Sequence, residues 1–194
     1  MARGKDVRPE LATARLRLWV AGPDEAAELL RHHLDNREHL ARWAPPAPAD
    51  VYTLGYWQSR CSISQGDWLD GRAVRFAIAW RSDPGRVIGT CSLTDVVRGP
   101  VQSCQLGYGL DWREQGQGVM TEALQSAITL AFGPLAMHRI TASYMPANVR
   151  SGALLERLGF AVEGCARASL FIGGAWRDHV MVALINPRPI VPVG

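Results

Sequence analysis

Gly116 and Gly118 stand one residue apart at the front of a helical stretch, in "REQGQGVMTEAL", residues 113–124. The first four N–H groups of a helix lack internal partners, and the macrodipole leaves partial positive charge at that end. Glycines ahead of such an end let the backbone approach a ligand closely and take positive φ angles. The strand-like "LGYGLD", the glycine loop and the helix in direct succession suit a pyrophosphate cradle, though read alone the loop is also compatible with a plain glycine turn before a helix. Two other phosphate-binding patterns are excluded by spacing. A dinucleotide fingerprint needs a third glycine where Thr121 stands, and the Gly-Lys-Ser/Thr of a Walker loop does not occur.

About 30 residues beyond Gly118, "ANVRSGALLERLGF" adds a second set of polar groups. Asn148 supplies an amide at the mouth of a helix. Ser151 can cap that helix or present its hydroxyl, while Leu154, Leu155 and Leu158 recur at the spacing of a buried face. Read alone, Asn148 is also compatible with a turn residue and Ser151 with a plain cap. Together with the glycine loop they make a combination much harder to reach by chance than either segment alone.

These segments need a sheet to carry them. "ARLRLWVA" (14–21) alternates apolar and polar residues as a half-buried strand does. "GPDEAAELLRHHLDNREHLARW" follows as a helix, with Asp24 as the candidate cap and Ala26, Leu29, Leu30 and Leu34 at helical spacing. "APPAPAD" breaks it, and "VYTLGYWQSRCSISQGDWLDG" is a second helical stretch. "VRFAIAW" (74–80), "VIGTCSLTDVV" and "SCQLGYGLD" are antiparallel strand candidates. The helix after the glycine loop places Ala123, Leu124, Ala127, Ile128 and Ala131 on one side. "RITASYM" is a strand, "ANVRSGALLERLG" a helix closed by Gly159, and "FAVEGCAR" a further strand. "ASLFIGGAWRDHVMVALI" is a hairpin turning at Gly173-Gly174. The order β-α-α-β-β-β-α-β-α-β-β predicts an α/β (α+β) fold: a mixed, mostly antiparallel central sheet with helices on both faces.

Composition narrows the function classes. The chain has 194 residues, 47% hydrophobic and 20% charged, which suits one globular domain spanning 1–194, with a core at about 12–186 and loose ends. A net charge of +3 fits an anionic ligand and is too small to argue for nucleic acid. Cys61, Cys91, Cys104 and Cys165 are scattered without a C-x-x-C pair, as expected of buried thiols in a cytoplasmic protein, with no metal site indicated. No apolar run reaches the ~20 residues of a membrane span. The start, "MARGKDVRPE", lacks the apolar segment of a secretory signal.

Gln115-Gly116-Gln117-Gly118-Val119-Met120 resembles the Gln/Arg-x-x-Gly-x-Gly/Ala acetyl-coenzyme A loop of the GNAT-type N-acetyltransferases. Arg113-x-x-Gly116-x-Gly118 matches the same pattern. The register from Gln115 is preferred because "TEAL" then falls where the superfamily's helix carries it, which puts Met120 in place of the usual small residue. "ANVRSGALLERLGF" resembles the second cofactor segment, N-x-x-S followed by a helix ending in "LGF". From about Arg15 to Leu184, and most densely after Leu106, the chain is similar to the bacterial acetyltransferases that modify N-termini of ribosomal proteins. The stretches "HRITASYMPANVRSGALLERLGFAVEG", "LFIGGAWRDHVMVAL" and "LARWAPP" carry this likeness, which is to the alanine-specific RimJ type.

The resemblance implies acetyl transfer from acetyl-coenzyme A, a co-substrate needing no metal, to the N-terminal α-amine of a ribosomal protein by direct attack. It implies that "LGYGL" splays from "RITASYM", with Tyr108, Gly109 and Leu110 giving backbone hydrogen bonds to the pantetheine arm. Gln115, Gly116, Gln117, Gly118, Val119 and Met120 would hold the phosphates. Ser151 is the implied proton donor to the departing thiolate, and Asn148 would hold the cofactor or a water. The base is open: relatives carry a glutamate where Leu170 stands, and Asp178, Gln105 or no dedicated group are the candidates. Tyr52, Tyr56, Trp57 and Trp68, with "RWAPPAPAD", are candidates for the acceptor entry, and also for core packing. Where relatives of this type place an acidic residue after the Trp, this chain has Ala44. Two other readings are a GNAT enzyme of small-molecule amines and a ribosome-assembly factor keeping the fold.

Overall fold

Leu16, Leu18 and Val20 are fully buried on one side of their strand, while Trp19 and Ala21 are buried on the other. That alternation is the ground plan of the molecule: a sheet covered on both faces. The computed structural model describes residues 8–188. Most of the charged start and most of the proline-rich end, both expected to be loose, lie outside the described residues.

The sheet has eight strands: β1 (Glu10–Ala12), β2 (Leu16–Trp19), β3 (Val74–Trp80), β4 (Gly89–Val97), β5 (Ser103–Leu110), β6 (Arg139–Tyr144), β7 (Ala161–Ile172) and β8 (Ala175–Ile185). They lie in the order β1-β2-β3-β4-β5-β6-β8-β7. Neighbours are antiparallel except β5 and β6, which are parallel. The helices are α1 (Ala26–Asp35), α2 (Arg37–Ala41), α3 (Leu54–Leu69), α4 (Val119–Phe132) and α5 (Val149–Arg157). The expected mixed, mostly antiparallel architecture is present.

One face carries α4 and α5. Ala123, Leu124, Ala127 and Ala131 of α4 and Leu154 and Leu155 of α5 join Phe76, Ile78, Leu93 and Ile140 in the larger core cluster. The other face carries α1 and α3, where Ala26, Leu29, Trp57 and Cys61 meet Trp19, Ala77 and Ala79. Small residues on α4 bring the helix close to the sheet. Each fully buried Leu or Phe on that face contributes about 1.5–3 kcal/mol.

Several local expectations change. The stretch from Gly22 is not one helix capped by Asp24. A 3-10 turn over Pro23–Glu25 comes first, and the Glu25 carboxylate accepts from the Gly22 amide at 2.9 Å. The helix then breaks at Asn36, whose buried side chain donates to His32 O at 2.9 Å and accepts from Trp112 N at 3.1 Å, and Leu34 is exposed. The next helix starts at Leu54, with Thr53 as its cap. β1 was not expected; its three residues are largely exposed, so no apolar alternation marks it. "FAVEGCAR" and the first half of the hairpin are a single strand, β7, and Cys165 on it is exposed where a buried thiol was expected.

Candidate active site

β5 and β6 are paired only over Ser103–Gln105 and Arg139–Thr141. Beyond that point β5 stays with β4 as far as Leu110, and β6 stays with β8 as far as Tyr144. Each strand follows its outer neighbour, so a cleft opens between their carboxyl ends, the usual position of ligands in sheets with parallel neighbours. α4 follows β5 and α5 follows β6, so both helices begin on this side of the sheet. The expected splay of "LGYGL" from "RITASYM" is therefore present.

At the start of α4, Gly116 has φ 79° and Gly118 φ 74°, both in the left-handed region. Glu122 N is the first amide bonded back into the helix, to Gly118 O at 3.1 Å. The amides of Val119, Met120 and Thr121 precede that bond, and no side chain caps this end. Left-handed glycines ahead of uncapped amides form an anion cradle, and this loop suits a pyrophosphate. Met120 does not crowd it: the side chain is 7% exposed and belongs to the larger core cluster.

The two register candidates differ in their surroundings. Arg113 is bound to Asp111 at 2.7 Å and reaches Asp35 at 3.4 Å. Burial opposes ionisation of Asp111, but hydrogen bonds from Arg113 outweigh it and hold the carboxyl far below its ordinary value. Gln115 lies in the cradle itself. Its Nε2 donates to His39 Nε2 at 2.9 Å, and its Oε1 accepts from the Arg150 guanidinium. Burial, and then Arg42, lower the pKa of His39, which suits a ring nitrogen that accepts. Gln115 thereby joins α2 to α5 across the loop.

The second cluster sits at the start of α5. Asn148 is the cap: its Oδ1 accepts from Ser151 N at 3.2 Å. This leaves the Ser151 hydroxyl free of capping, and it lies 2.5 Å from the Tyr108 hydroxyl on β5. Burial raises the pKa of Tyr108, and the bond to Ser151 partly offsets that. On the β6 side, the Tyr144 ring lies against Gly152, where a Cβ would come within 2.9 Å of the ring. One strand thus presents a tyrosine to residue 151 and the other presents a tyrosine to residue 152.

The structure does not bring every candidate to this cluster. Asp178 is exposed on β8, and its Oδ1 accepts from Ala168 N at 2.8 Å, closing the bulge of β7. No hydrogen bond among the described residues joins it to Ser151 or Asn148, nor does it pair with Arg177. Gln105 is exposed at the last β5–β6 pair, and Leu170 is exposed on β7. Trp57 is core, with its indole donating to Val51 O at 2.8 Å, while Tyr52 and Tyr56 pack partly buried beside it. Trp68 packs against the other cluster, so the four aromatics do not form one surface. The Tyr108 hydroxyl, Tyr144 and His39 were not singled out from sequence for these contacts. Only the alternation along β5 hints that Tyr108 and Leu106 share a face.

Against known proteins, residues 15–161 match the family described as "Acetyltransferase (GNAT) domain". The chain is 38% identical over 177 residues to the "[Ribosomal protein uS5]-alanine N-acetyltransferase" of Escherichia coli, covering 91% of each chain. Among solved structures, the ribosomal-protein-S5-alanine acetyltransferase of Vibrio fischeri superposes with a TM-score of 0.88 at 30% identity, covering 93% of this chain and 100% of that one. Mycobacterium smegmatis RimJ, in complex with CoA-disulfide, gives 0.84 at 28% identity over 96% and 92%. Family match, near full-length identity and shared fold agree with the loop and cleft described above: the chain is an acyltransferase belonging to the GNAT acetyltransferase family.

Proposed function

We propose that this chain is one cytoplasmic acetyltransferase domain, its core spanning about 12–186, that moves an acetyl group from acetyl-coenzyme A to an N-terminal alanine α-amine of a ribosomal protein. The observation that carries the acceptor class is the match to the E. coli uS5-alanine enzyme over 91% of both chains. The cleft and cradle fit the co-substrate. The amides around Gly116, Gly118, Val119 and Met120 hold the pyrophosphate, with Gln115 and Gln117 flanking them. Tyr108, Gly109 and Leu110, unpaired on the side facing β6, hold an extended arm.

Bound acetyl-coenzyme A supplies the thioester. The chain's own residues do the rest. A β5 amide near Leu110 donates to the carbonyl oxygen as it gains charge. Asn148 fixes the first turn of α5 and so the place of Ser151, whose hydroxyl gives a proton to the sulfur. Asp178 is engaged with Ala168, so no dedicated base is assigned. An α-amine has a pKa near ~8, which leaves roughly a tenth of it neutral at pH 7.

Mass spectrometry of ribosomal-protein N-termini, with and without this gene, tests the acceptor. Loss of acetyl from one alanine N-terminus on deletion is the expected result. Purified protein with acetyl-coenzyme A, an Ala-starting peptide and a panel of small amines completes the test. Turnover on a small amine alone would overturn the protein acceptor.

A further inference from the structure

The site contains a group for which the reading above has no use. The Tyr108 hydroxyl is 2.5 Å from the Ser151 hydroxyl. Its place is well determined: β5 is paired with β4 through Tyr108 and Cys91, and the ring packs against the larger core cluster. Ser151 is placed equally firmly, on the first turn of α5 capped by Asn148. Two hydroxyls carried on different elements are thus held in hydrogen-bond contact at the mouth of the cleft.

The chemistry makes this contact useful. A serine hydroxyl is a much weaker acid than a thiol, so Ser151 alone is a poor source of a proton for a thiolate. A phenol is far closer, with ordinary values of about 10 for tyrosine and about 8.5 for a thiol. Either hydroxyl can donate in the pair. When the more acidic phenol donates to Ser151 Oγ, the serine hydrogen is left free to point at the sulfur.

We propose that Tyr108 is a positioning residue and proton relay for Ser151, setting the direction of the serine hydrogen and replacing it as it leaves. This rests on Ser151 being the donor to the thiolate. In the step, the amine lone pair forms the C–N bond, the C–S bond breaks, and its electron pair stays on sulfur. Sulfur takes the Ser151 proton and Ser151 takes the Tyr108 proton. The proton lost from the amine nitrogen returns to Tyr108 through water. One proton has moved from nitrogen to sulfur, with nothing oxidised or reduced. Tyr144 is the neighbouring ionisable group, and after burial it also raises the phenol's pKa.

The test uses Tyr108→Phe, which keeps the ring and its packing, in the full chain with acetyl-coenzyme A and the best acceptor from the assays above. The expected kcat falls about 10- to 100-fold, the scale of a supporting hydrogen-bond partner, with KM for acetyl-coenzyme A within about twofold. Tyr108→Phe added to Ser151→Ala should cost nothing further, because the two act as a unit. Should the Phe variant fold poorly, 3-fluorotyrosine placed at position 108 keeps the hydroxyl while making it more acidic. Its kcat should begin to fall at a lower pH than that of the wild type, a shift that a tyrosine outside the proton path would not give. Wild-type kcat in Tyr108→Phe, beside a slow Ser151→Ala, would overturn the relay and leave the donor reading standing. Additive losses in the double variant, or a fluorotyrosine enzyme with the wild-type pH profile, would overturn it too. Wild-type turnover in Ser151→Ala would overturn the donor reading itself.

Discussion

Arg15 and Glu122 meet at two points: the Arg15 side-chain Nε donates to Oε2 at 2.7 Å and its backbone amide donates to Oε1 at 2.9 Å. Thr13 adds a bond to the same Oε1 at 2.5 Å, and Arg15 also donates to Gln117 O at 3.2 Å. The start of β2 thus clamps both the first turn of α4 and the loop ahead of it. Burial opposes ionisation of Glu122, but the Thr13 and Arg15 bonds outweigh it and lower the pKa. A depressed carboxyl contributes stability above its unfolded value, lost as pH falls through the folded one. Glu122→Gln should therefore cost about 1 kcal/mol or less at pH 7, since Arg15 is partly exposed. The deficit against wild type should shrink once pH falls below the ordinary carboxyl value of 4.5, as denaturant titrations at several pH values would show. The affinity for acetyl-coenzyme A should weaken a few-fold as the loop loosens.

Gly118 caps α4 at φ 74°, where a side chain is strained whatever the space around it. Gly118→Val should cost about 1–2 kcal/mol from the left-handed backbone alone. It should also abolish acetyl-coenzyme A binding by calorimetry, because the amides could no longer converge. Unchanged affinity in a folded variant would refute the cradle.

Ser151→Ala and Asp178→Asn separate chemistry from architecture. The first should lower kcat by about 100-fold or more with cofactor affinity largely intact. The second keeps an oxygen to accept from Ala168 N and removes the charge. Its kcat should stay within about twofold of wild type, in contrast to the collapse expected of a lost general base.

His32 is 2% exposed, and burial, with His33 adding to it, lowers its pKa to about 4. The unfolded chain takes up this proton near 6.5 and the folded chain does not, so stability falls as pH drops from about 6.5 to about 4. The loss attributable to this group is roughly 3 kcal/mol. His32→Leu should flatten the pH dependence of denaturant unfolding across that window. An unchanged slope would show that other groups govern it.

The strands and helices whose pattern is local were legible. Residues 74–80, apolar at every position but Arg75, form β3 as read, and the glycine loop lies between β5 and α4 as expected. Contacts between distant segments were not. Asn36 sits in "LDNREH", where helical spacing simply continues, yet its Oδ1 accepts from Trp112 N across 76 residues and the helix breaks there. The same holds in the site. Asn148 and Ser151 were legible as a pair at a helix start, but which of them caps depends on Tyr108, brought 43 residues along the chain to take the serine hydroxyl. Sequence spacing reports neighbours along an element, and it says little about which side chain arrives from the next strand.

Among the described residues, the three residue pairs joining β5 to β6 are the only ladder between strands β1 to β5 and strands β6 to β8. The sheet is in effect two sheets with a short seam. An extended ligand arm laid along Tyr108–Leu110 would serve as an additional, non-peptide strand at that seam. Under the proposed function, resistance to heat and to amide exchange near the seam should therefore rise with acetyl-coenzyme A concentration, by about 2.7 kcal/mol at one hundred times Kd. The halves of the sheet would then be held together by the substrate as much as by the chain.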